Sequence, residues 1–153
     1  MNKANILYVD DEVENLLAFK ATLRRYFNVF VAESAEKGLE ILKNEEIHVL
    51  FTDQRMPETT GIEFLKSVIK KYPKPMRILI TGYTDIEVIK EAINEGNVYK
   101  YIDKPWNNDQ LKDIIEKVLE VYFLREENER LTKDLKRVNS QLEFMLRQKL
   151  NSE

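Results

Sequence analysis

Residues 47–57 read IHVLFTDQRMP and contain the pattern that decides the fold. The first six residues are rich in β-forming side chains and include no acidic residue, lysine or arginine, which is typical of a strand covered on both faces. Asp53 follows directly, so the strand ends in a carboxylate. Pro57 disfavours a helical conformation in the residue before it and favours a turn. We therefore predict a buried strand that presents Asp53 at its carboxyl end.

Two further carboxylates, Asp10 and Asp11, follow a second strand-like run at residues 4–9 (ANILYV). Ligand sites in parallel α/β sheets collect outside the carboxyl ends of the strands. Asp10, Asp11 and Asp53 are therefore candidates for one pocket. Because three neighbouring carboxylates repel one another, the sequence predicts a cation among them.

The chain alternates strand and helix patterns five times. Strand patterns cover residues 4–9, 28–32, 47–53, 76–81 and 98–102, and apolar residues recur at helical spacing between them. Strand–helix alternation with short loops predicts an α/β fold, a parallel sheet with helices on both faces. The residues expected to face inward from the first four helices are Leu16, Phe19, Leu23, Phe27, Ala35, Leu39, Leu42, Leu65, Val68, Ile69, Tyr72, Ile86, Ile89 and Ile93.

The last helix continues beyond the point where a domain of this kind should end. No glycine or proline follows Pro105, so we expect the helix to reach about residue 150. Its apolar residues narrow to alternating spacings of three and four, a heptad pattern typical of a coiled coil. We predict a globular domain at 1–122, a coiled-coil helix at 123–153 and a parallel homodimer through 121–150. The predicted seam residues are Val121, Leu124, Asn128, Leu131, Leu135, Val138, Leu142 and Met145.

The composition excludes several classes of site. The 153 residues include 24 Lys and Arg against 27 Asp and Glu, so the net charge of -3 gives nucleic-acid binding no support. The absence of cysteine excludes disulfides and thiolate metal sites. No apolar run approaches the roughly 18 residues that span a bilayer, and none resembles a secretory signal. We expect a soluble, cytoplasmic protein that binds neither nucleic acid nor membranes directly.

Four short motifs at strand ends resemble those of one family. They are Asp10-Asp11, Asp53, Thr81 and Lys104-Pro105. In this order they resemble the receiver domain of the response regulators of two-component signalling, over residues 1–122. The resemblance implies a doubly wound, flavodoxin-like sheet of five parallel strands in the order 2-1-3-4-5. It also implies a phospho-accepting domain, not an enzyme with a separate substrate.

The resemblance implies a cofactor and a partner. In the family, a sensor histidine kinase transfers a phosphoryl group to an aspartate, which corresponds here to Asp53. Mg²⁺ offsets the negative charge that this transfer brings together. Its ligands would be Asp10, Asp11, Asp53 and the backbone carbonyl of Arg55.

The resemblance also implies roles around the phosphoryl group. Lys104 would pair with the acidic pocket and then with the phosphoryl oxygens, and Thr81 would donate its hydroxyl to one of them. Thr81 and Tyr101 would form the conformational switch, Tyr101 being the aromatic residue three positions before Lys104. The family further implies a cis peptide bond between Lys104 and Pro105.

Hydrolysis of an aspartyl phosphate requires water to reach phosphorus in line. The residues two positions after Asp53 and Thr81 flank that path, and here they are Arg55 and Tyr83. Both are large, and neither positions water as a carboxamide or an acid would. We therefore expect a long-lived phosphorylated state.

Each motif residue taken alone has a plainer interpretation. Asp10 or Asp11 alone is typical of a helix cap. Asp53 alone is typical of a turn, Lys104 of a surface position and Thr81 of an ordinary strand. These interpretations do not explain why all of them follow strands.

Two other residues are interpreted as structural. His48, the only histidine, lies in an apolar run and cannot build a metal cluster by itself. Trp106 is expected to pack beneath the last helix. Neither is included among the predicted site residues.

One enzymatic alternative also uses an aspartate at a strand end with magnesium, the haloacid-dehalogenase-like phosphatases. Their motif is typically Asp-x-Asp, in which the second carboxylate acts as acid and base. Position 55 is arginine here, which favours the receiver. Turnover of p-nitrophenyl phosphate would distinguish the two.

Overall fold

The computed structural model describes residues 3–82 and 86–152. Strands and helices alternate along them, as the sequence pattern predicts. A helix follows each strand and returns the chain to the same end of the sheet, which parallel strands require. The elements are β1 (Asn5–Val9), α1 (Val13–Leu23), β2 (Asn28–Ala32), α2 (Ala35–Asn44), β3 (Val49–Asp53), α3 (Gly61–Lys71), β4 (Met76–Thr81), α4 (Ile86–Asn94), β5 (Lys100–Asp103) and α5 (Asn108–Ser152).

The five strands form one parallel sheet in the order β2-β1-β3-β4-β5. This confirms the predicted doubly wound, flavodoxin-like order. β3 lies at the centre between β1 and β4, and its five residues are all buried. Asp53 is the last residue of β3, so its carboxylate lies in the middle of the carboxyl edge of the sheet.

Both faces of the sheet are covered by helices. Alternate strand residues point to opposite faces. One face, which includes Leu7 and Leu50, packs against α2, α3 and α4 in a continuous buried cluster. On the other face Tyr8 and Phe51 contact Phe19 of α1, with ring centroids 4.6 and 5.2 Å from its ring. This double cover explains why β3 reads as an uninterrupted apolar run.

Most helical residues predicted to face inward are buried or partly buried, but Leu39 and Ile86 are not. Their exposed fractions are 38% and 51%. In α2 the buried residues are Gly38 and Leu42, and Leu39 lies about 100° around the helix from Gly38. Ile86 is the first residue of α4 and lies three residues before Ile89, the first buried residue described in that helix. Helical spacing therefore identified the stripe correctly but overestimated its width.

Arg77 is a buried cation of β4 that sequence analysis did not single out. Its guanidinium donates hydrogen bonds to the carbonyls of Pro73 and Pro75, at 3.1 and 2.9 Å, in the loop before β4. It also donates to the carbonyls of Gly96 and Asn97, at 3.1 and 3.0 Å, after α4. The arginine satisfies carbonyls that the chain cannot pair locally, and it joins two loops at the amino end of the sheet.

His48 also lies at the amino end of the sheet, directly before β3. Its Nδ1 accepts a hydrogen bond from the Asn5 amide at 3.0 Å. Its own amide donates to the Asn5 carbonyl, and its carbonyl accepts from the Met76 amide, both at 2.9 Å. The histidine therefore connects the starts of β1 and β4, at the end of the sheet opposite Asp53.

α5 runs without interruption from Asn108 to Ser152, which confirms the predicted extension of the last helix. The chain divides into two compact units, residues 1–119 and 120–153. In the second unit the apolar seam residues from Leu124 to Met145 are between 42% and 63% exposed. No helix in the described ranges is both long and apolar enough to cross a membrane. The boundary at residue 122 and the homodimer stay predictions.

Candidate functional site

Parallel pairing brings the carboxyl ends of four strands to one edge. Val9 lies opposite Thr52, Asp53 opposite Ile80, and Thr81 opposite Asp103. The residues that end or follow these strands therefore meet although they are far apart in sequence. The predicted residues collected at this edge are Asp10, Asp11, Asp53, Thr81 and Lys104.

Asp10, Asp11 and Asp53 form an acidic cluster. One carboxylate oxygen from each lies within 4.8 Å of the other two. Asp10 and Asp53 are buried, whereas Asp11 is exposed at the mouth of the cluster. Oxygen ligands at this separation suit a hard divalent cation such as Mg²⁺. The three side chains therefore fit the predicted metal, and the contribution of the Arg55 carbonyl stays a prediction.

Lys104 reaches into this cluster from the residue after β5. Its Nζ lies 2.8 Å from Asp53 Oδ1 and 3.5 Å from Asp10 Oδ2. Its amide donates to the Thr81 carbonyl at 2.9 Å, which extends the pairing between β4 and β5 by one bond. The peptide bond between Lys104 and Pro105 is cis, as predicted. Backbone pairing thus places the lysine beside the central aspartate.

Burial and the neighbouring charges shift the pKa values of Asp53 and Lys104. The pKa of Asp53 is raised, mainly because burial disfavours the carboxylate; the hydrogen bond from Lys104 opposes the rise, and the charge of Asp10 adds to it. Burial also disfavours the charged form of Lys104, but the hydrogen bond to Asp53 and the two carboxylate charges outweigh it and raise the pKa of Lys104. Lys104 therefore stays charged, and the pocket still holds more carboxylates than cations.

Asp10 is held by donors that sequence analysis did not identify. The Tyr8 hydroxyl donates to Asp10 Oδ2 at 2.6 Å, and Asn15 Nδ2 donates to the same oxygen at 3.1 Å. The Glu12 amide donates to Asp10 Oδ1 at 2.9 Å. Burial, and then the hydrogen bond to Asp10, raise the pKa of Tyr8, so its hydroxyl stays a donor. Strand alternation could have found Tyr8, because residues two apart share a face.

The start of α3 is docked directly onto the end of β3. Two oxygens of Gln54 accept hydrogen bonds from this helix. The Gly61 amide donates to the Gln54 carbonyl and the Ile62 amide donates to its side-chain Oε1, both at 2.9 Å. Thr60 caps the helix by accepting from the Glu63 amide at 3.1 Å. A Cβ on Gly61 would collide with the carbonyl oxygen of Asp53. Glycine is therefore required because helix and strand approach so closely.

Gly61→Ala is expected to destabilise the fold by about 1–3 kcal/mol, since backbone atoms of Asp53 must move to admit the methyl group. The free energy of unfolding in urea measures this change. Gly82→Ala is the matched control, because a Cβ there would lie 3.8 Å from the Lys104 Cβ, an ordinary contact. Equal stability of the two variants would contradict the close approach.

A cavity of about 930 Å³ opens over the acidic cluster. Trp106 lines it and packs edge-on against Tyr8 and Phe19, with ring centroids 6.1 and 6.0 Å apart. Trp106 thus packs against β1 and α1, and its predicted position beneath the last helix stays a prediction. Arg55 lines the same cavity, whereas Tyr83, the other residue predicted to restrict water, lies outside the described residues.

The two predicted switch residues share a face of the sheet. Tyr101 lies opposite Leu79, and Asp103 lies opposite Thr81, so alternation puts Thr81 and Tyr101 on the same side of neighbouring strands. Thr81 is buried, and Tyr101 is partly buried against the core cluster of that face. This placement is compatible with a coupled movement, which stays a prediction.

The geometry agrees with a match to a known family. The family model of the response regulator receiver domain matches residues 6–116. The chain belongs to the response regulator receiver family. Receivers of two-component systems take phosphate from sensor histidine kinases and bind Mg²⁺ in an acidic pocket, and they are generally not classical enzymes. In this receiver, Asp10, Asp11 and Asp53 form an acidic cluster.

Relatives of the receiver include a longer regulator and several solved structures. This chain is 39% identical over 150 residues to the hydrogenase transcriptional regulatory protein HoxA of Cupriavidus necator. The match covers 98% of this chain and 31% of HoxA. The adenylate cyclase from Rhodopirellula baltica superposes with a TM-score of 0.81 at 30% identity, covering 87% of this chain and 98% of that one. A receiver domain protein (CheY-like) from Methanospirillum hungatei superposes with a TM-score of 0.75 at 28% identity, covering 81% and 99%. The chain spans under a third of the curated relatives that it matches first.

Proposed function

We propose that the chain is the phospho-accepting receiver of a two-component system and that a sensor histidine kinase phosphorylates Asp53. One observation carries the proposal: a buried aspartate at the centre of the sheet edge lies 2.8 Å from a lysine and within 4.8 Å of two further carboxylates. A nucleophile of this kind requires nearby positive charge to approach a phosphoryl group. Lys104 and a cation held by the three carboxylates would supply that charge at this edge of the sheet.

Asp10, Asp11 and Asp53 would hold Mg²⁺ together with the backbone carbonyl of Arg55. Bound Mg²⁺ would offset the repulsion between the carboxylates and the phosphoryl oxygens. The raised pKa of Asp53 supports this requirement, because burial disfavours the free carboxylate. Asp11, the exposed member, would meet the ion first.

In the proposed transfer, a carboxylate oxygen of Asp53 forms a bond to phosphorus. The bond between phosphorus and the donor atom breaks, and the donor, an imidazole nitrogen of the kinase, keeps the electron pair. Lys104 would then donate to a phosphoryl oxygen while still near Asp53, and the Thr81 hydroxyl would donate to another. No further chemistry is required beyond transfer to Asp53 and its later hydrolysis.

We further propose that phosphorylation shifts a two-state equilibrium at Thr81 and Tyr101. A ligand shifts such an equilibrium only if it binds the two states differently, and phosphate contacts to Thr81 and Lys104 would supply that difference. The receiver would work as a cytoplasmic homodimer through residues 121–150, without direct contact to nucleic acid or membrane. HoxA is a transcriptional regulatory protein, which supports a role for this chain as the receiver segment of such a regulator.

Acetyl phosphate with Mg²⁺ tests the proposed function. The wild-type chain should gain about 80 Da in intact mass, as expected for one covalent aspartyl phosphate. Chelation of Mg²⁺ with EDTA should prevent the gain. A chain that is not modified by acetyl phosphate, and that binds no beryllofluoride in the presence of Mg²⁺, would contradict the proposal.

Replacing Arg55 and Tyr83 by small polar residues is expected to shorten the phosphoryl lifetime severalfold, because water would reach phosphorus more easily. Arg55→Asn alone should act in the same direction, since Arg55 lines the cavity. Decay of the phosphorylated mass after removal of the donor measures the lifetime. Arg25→Asn, at an exposed position after α1, is the matched control. An unchanged or longer lifetime in the double variant would exclude this role.

A further inference from the structure

We propose that Tyr8 is a positioning residue of the metal and phosphoryl site, and that it acts by holding the Asp10 carboxylate through its hydroxyl. The inference rests on the proposed function, since it concerns how the acidic cluster is prepared for Mg²⁺. It concerns an interior side chain of β1 that lies outside the motifs of the site.

Tyr8 itself is immobilised. Its side chain is fully buried in the sheet. Its ring is held by Phe19, at a centroid distance of 4.6 Å, and by the edge of Trp106, at 6.1 Å. A ring packed on two sides leaves the hydroxyl oxygen one position, and that position is 2.6 Å from Asp10 Oδ2. The donor is therefore fixed by the core and not by the solvent-exposed pocket.

Asp10 depends on this donor more than on the others. Its Oδ2 accepts from three groups: the Tyr8 hydroxyl at 2.6 Å, Asn15 Nδ2 at 3.1 Å and Lys104 Nζ at 3.5 Å. The tyrosine bond is the shortest, and it is the only one of the three that is fully buried. A carboxylate with no exposed surface must satisfy its oxygens within the protein. Removing the hydroxyl leaves Oδ2 with its two longer bonds.

The position of Lys104 also depends on the hydrogen bonds that Asp10 Oδ2 accepts. Its Nζ lies closer to Asp53, at 2.8 Å, than to Asp10, at 3.5 Å. Without the Tyr8 hydroxyl, Asp10 Oδ2 would attract the ammonium group more strongly. Lys104 would then move away from Asp53 and towards Asp10, a predicted Mg²⁺ ligand. Tyr8 thereby keeps Asp10 oriented and keeps Lys104 on the phospho-acceptor.

Tyr8→Phe tests the inference because it removes the hydroxyl and keeps the ring. Substitution of a group that supports a metal ligand typically costs about 10- to 100-fold in affinity, and we expect at least the lower figure for Mg²⁺. Trp106, the only tryptophan, lines the cavity, so its fluorescence is the signal to follow in Mg²⁺ titrations of the full chain. Tyr72→Phe is the matched control, since Tyr72 follows α3 and packs partly buried against the core. Equal Mg²⁺ affinities of Tyr8→Phe and wild type would overturn the inference.

A double-mutant cycle separates positioning from general support of the fold. In the Asp10→Ala background, Tyr8→Phe is expected to leave the already weakened Mg²⁺ affinity unchanged. The same further loss in both backgrounds would show that Tyr8 does not act through Asp10, and would overturn the inference.

A metal-free measurement distinguishes this inference from the proposed function. Proton NMR of the wild type without metal should show a slowly exchanging tyrosine hydroxyl proton, and Mg²⁺ should shift it. Its absence would overturn the inference whether or not Tyr8→Phe folds. If the proton is present but the wild type binds no Mg²⁺, the hydrogen bond between Tyr8 and Asp10 exists. The proposed function, which requires Mg²⁺, is then contradicted, and so is the role of Tyr8 in Mg²⁺ binding.

Discussion

Asp53→Asn is expected to gain no mass from acetyl phosphate and Mg²⁺ under conditions in which the wild type gains about 80 Da. The effect should be complete, because the neutral carboxamide is a far poorer nucleophile than the carboxylate. The substitution changes no volume and keeps an oxygen that Lys104 Nζ, 2.8 Å away in the wild type, can contact. A loss of labelling would therefore reflect chemistry and not collapse of the site.

Asp103→Asn is the control for this experiment. Asp103 ends β5 at the same edge of the sheet, opposite Thr81, but its side chain is exposed. Its variant should be labelled like the wild type. Intact mass spectrometry at matched times measures both. Labelling of Asp53→Asn at the wild-type rate would show that another residue accepts the phosphoryl group.

The second large effect is expected in the helix after residue 120. Leu131→Asp with Leu135→Asp should convert a homodimer into monomers, because each chain would bring two charges into the apolar seam. These leucines are 52% and 62% exposed in the single chain, so burial against a second copy would remove apolar surface from water. Full burial of a leucine side chain stabilises by about 1.5–3 kcal/mol, and burial of these half-exposed leucines would supply part of that. Light scattering at tens of micromolar chain measures the mass.

The controls for the dimer add the same charge elsewhere. Asn139→Asp with Ser140→Asp adds two carboxylates at positions that are not among the predicted seam residues, and this variant should stay dimeric. The ion pairs within the helix, such as Glu127 with Arg130, contribute little to this outcome because solvent screens exposed charges. A monomeric wild type at tens of micromolar would exclude the homodimer.

Asn128 determines which kind of coiled coil is expected. It takes an a position, where two asparagines can pair across a parallel dimer and fix both register and strand number. An antiparallel pair would instead place Asn128 against an apolar residue. Asn128→Leu should therefore stabilise the association and permit higher oligomers or other registers, which light scattering would show as a heavier or mixed species.

Much of the fold and of the candidate site could be predicted from local pattern. Four of the five strands, β1 to β4, are mainly apolar runs, and a helix of matching spacing follows each of them, so periodicity alone indicates a parallel α/β sheet. Because parallel strands share one carboxyl edge, Asp10 and Asp53 could be assigned to the same edge of the sheet once both were placed after strands. The strand order, in contrast, rests on the family resemblance, since periodicity does not specify which strands are neighbours.

The sequence by itself determined the elements, the edge at which the carboxylates collect, and the continuous last helix with its heptad seam, because all of these depend on residues close together in the chain. The tertiary structure alone decided how far each side chain reaches. In it Lys104 lies nearer Asp53 than Asp10, the Tyr8 hydroxyl donates to Asp10, and Gly61 lies in close contact with the end of β3. Apart from the bond between Tyr8 and Asp10, these contacts join separate elements. Their distances depend on the packing of whole strands and helices, which no local pattern encodes.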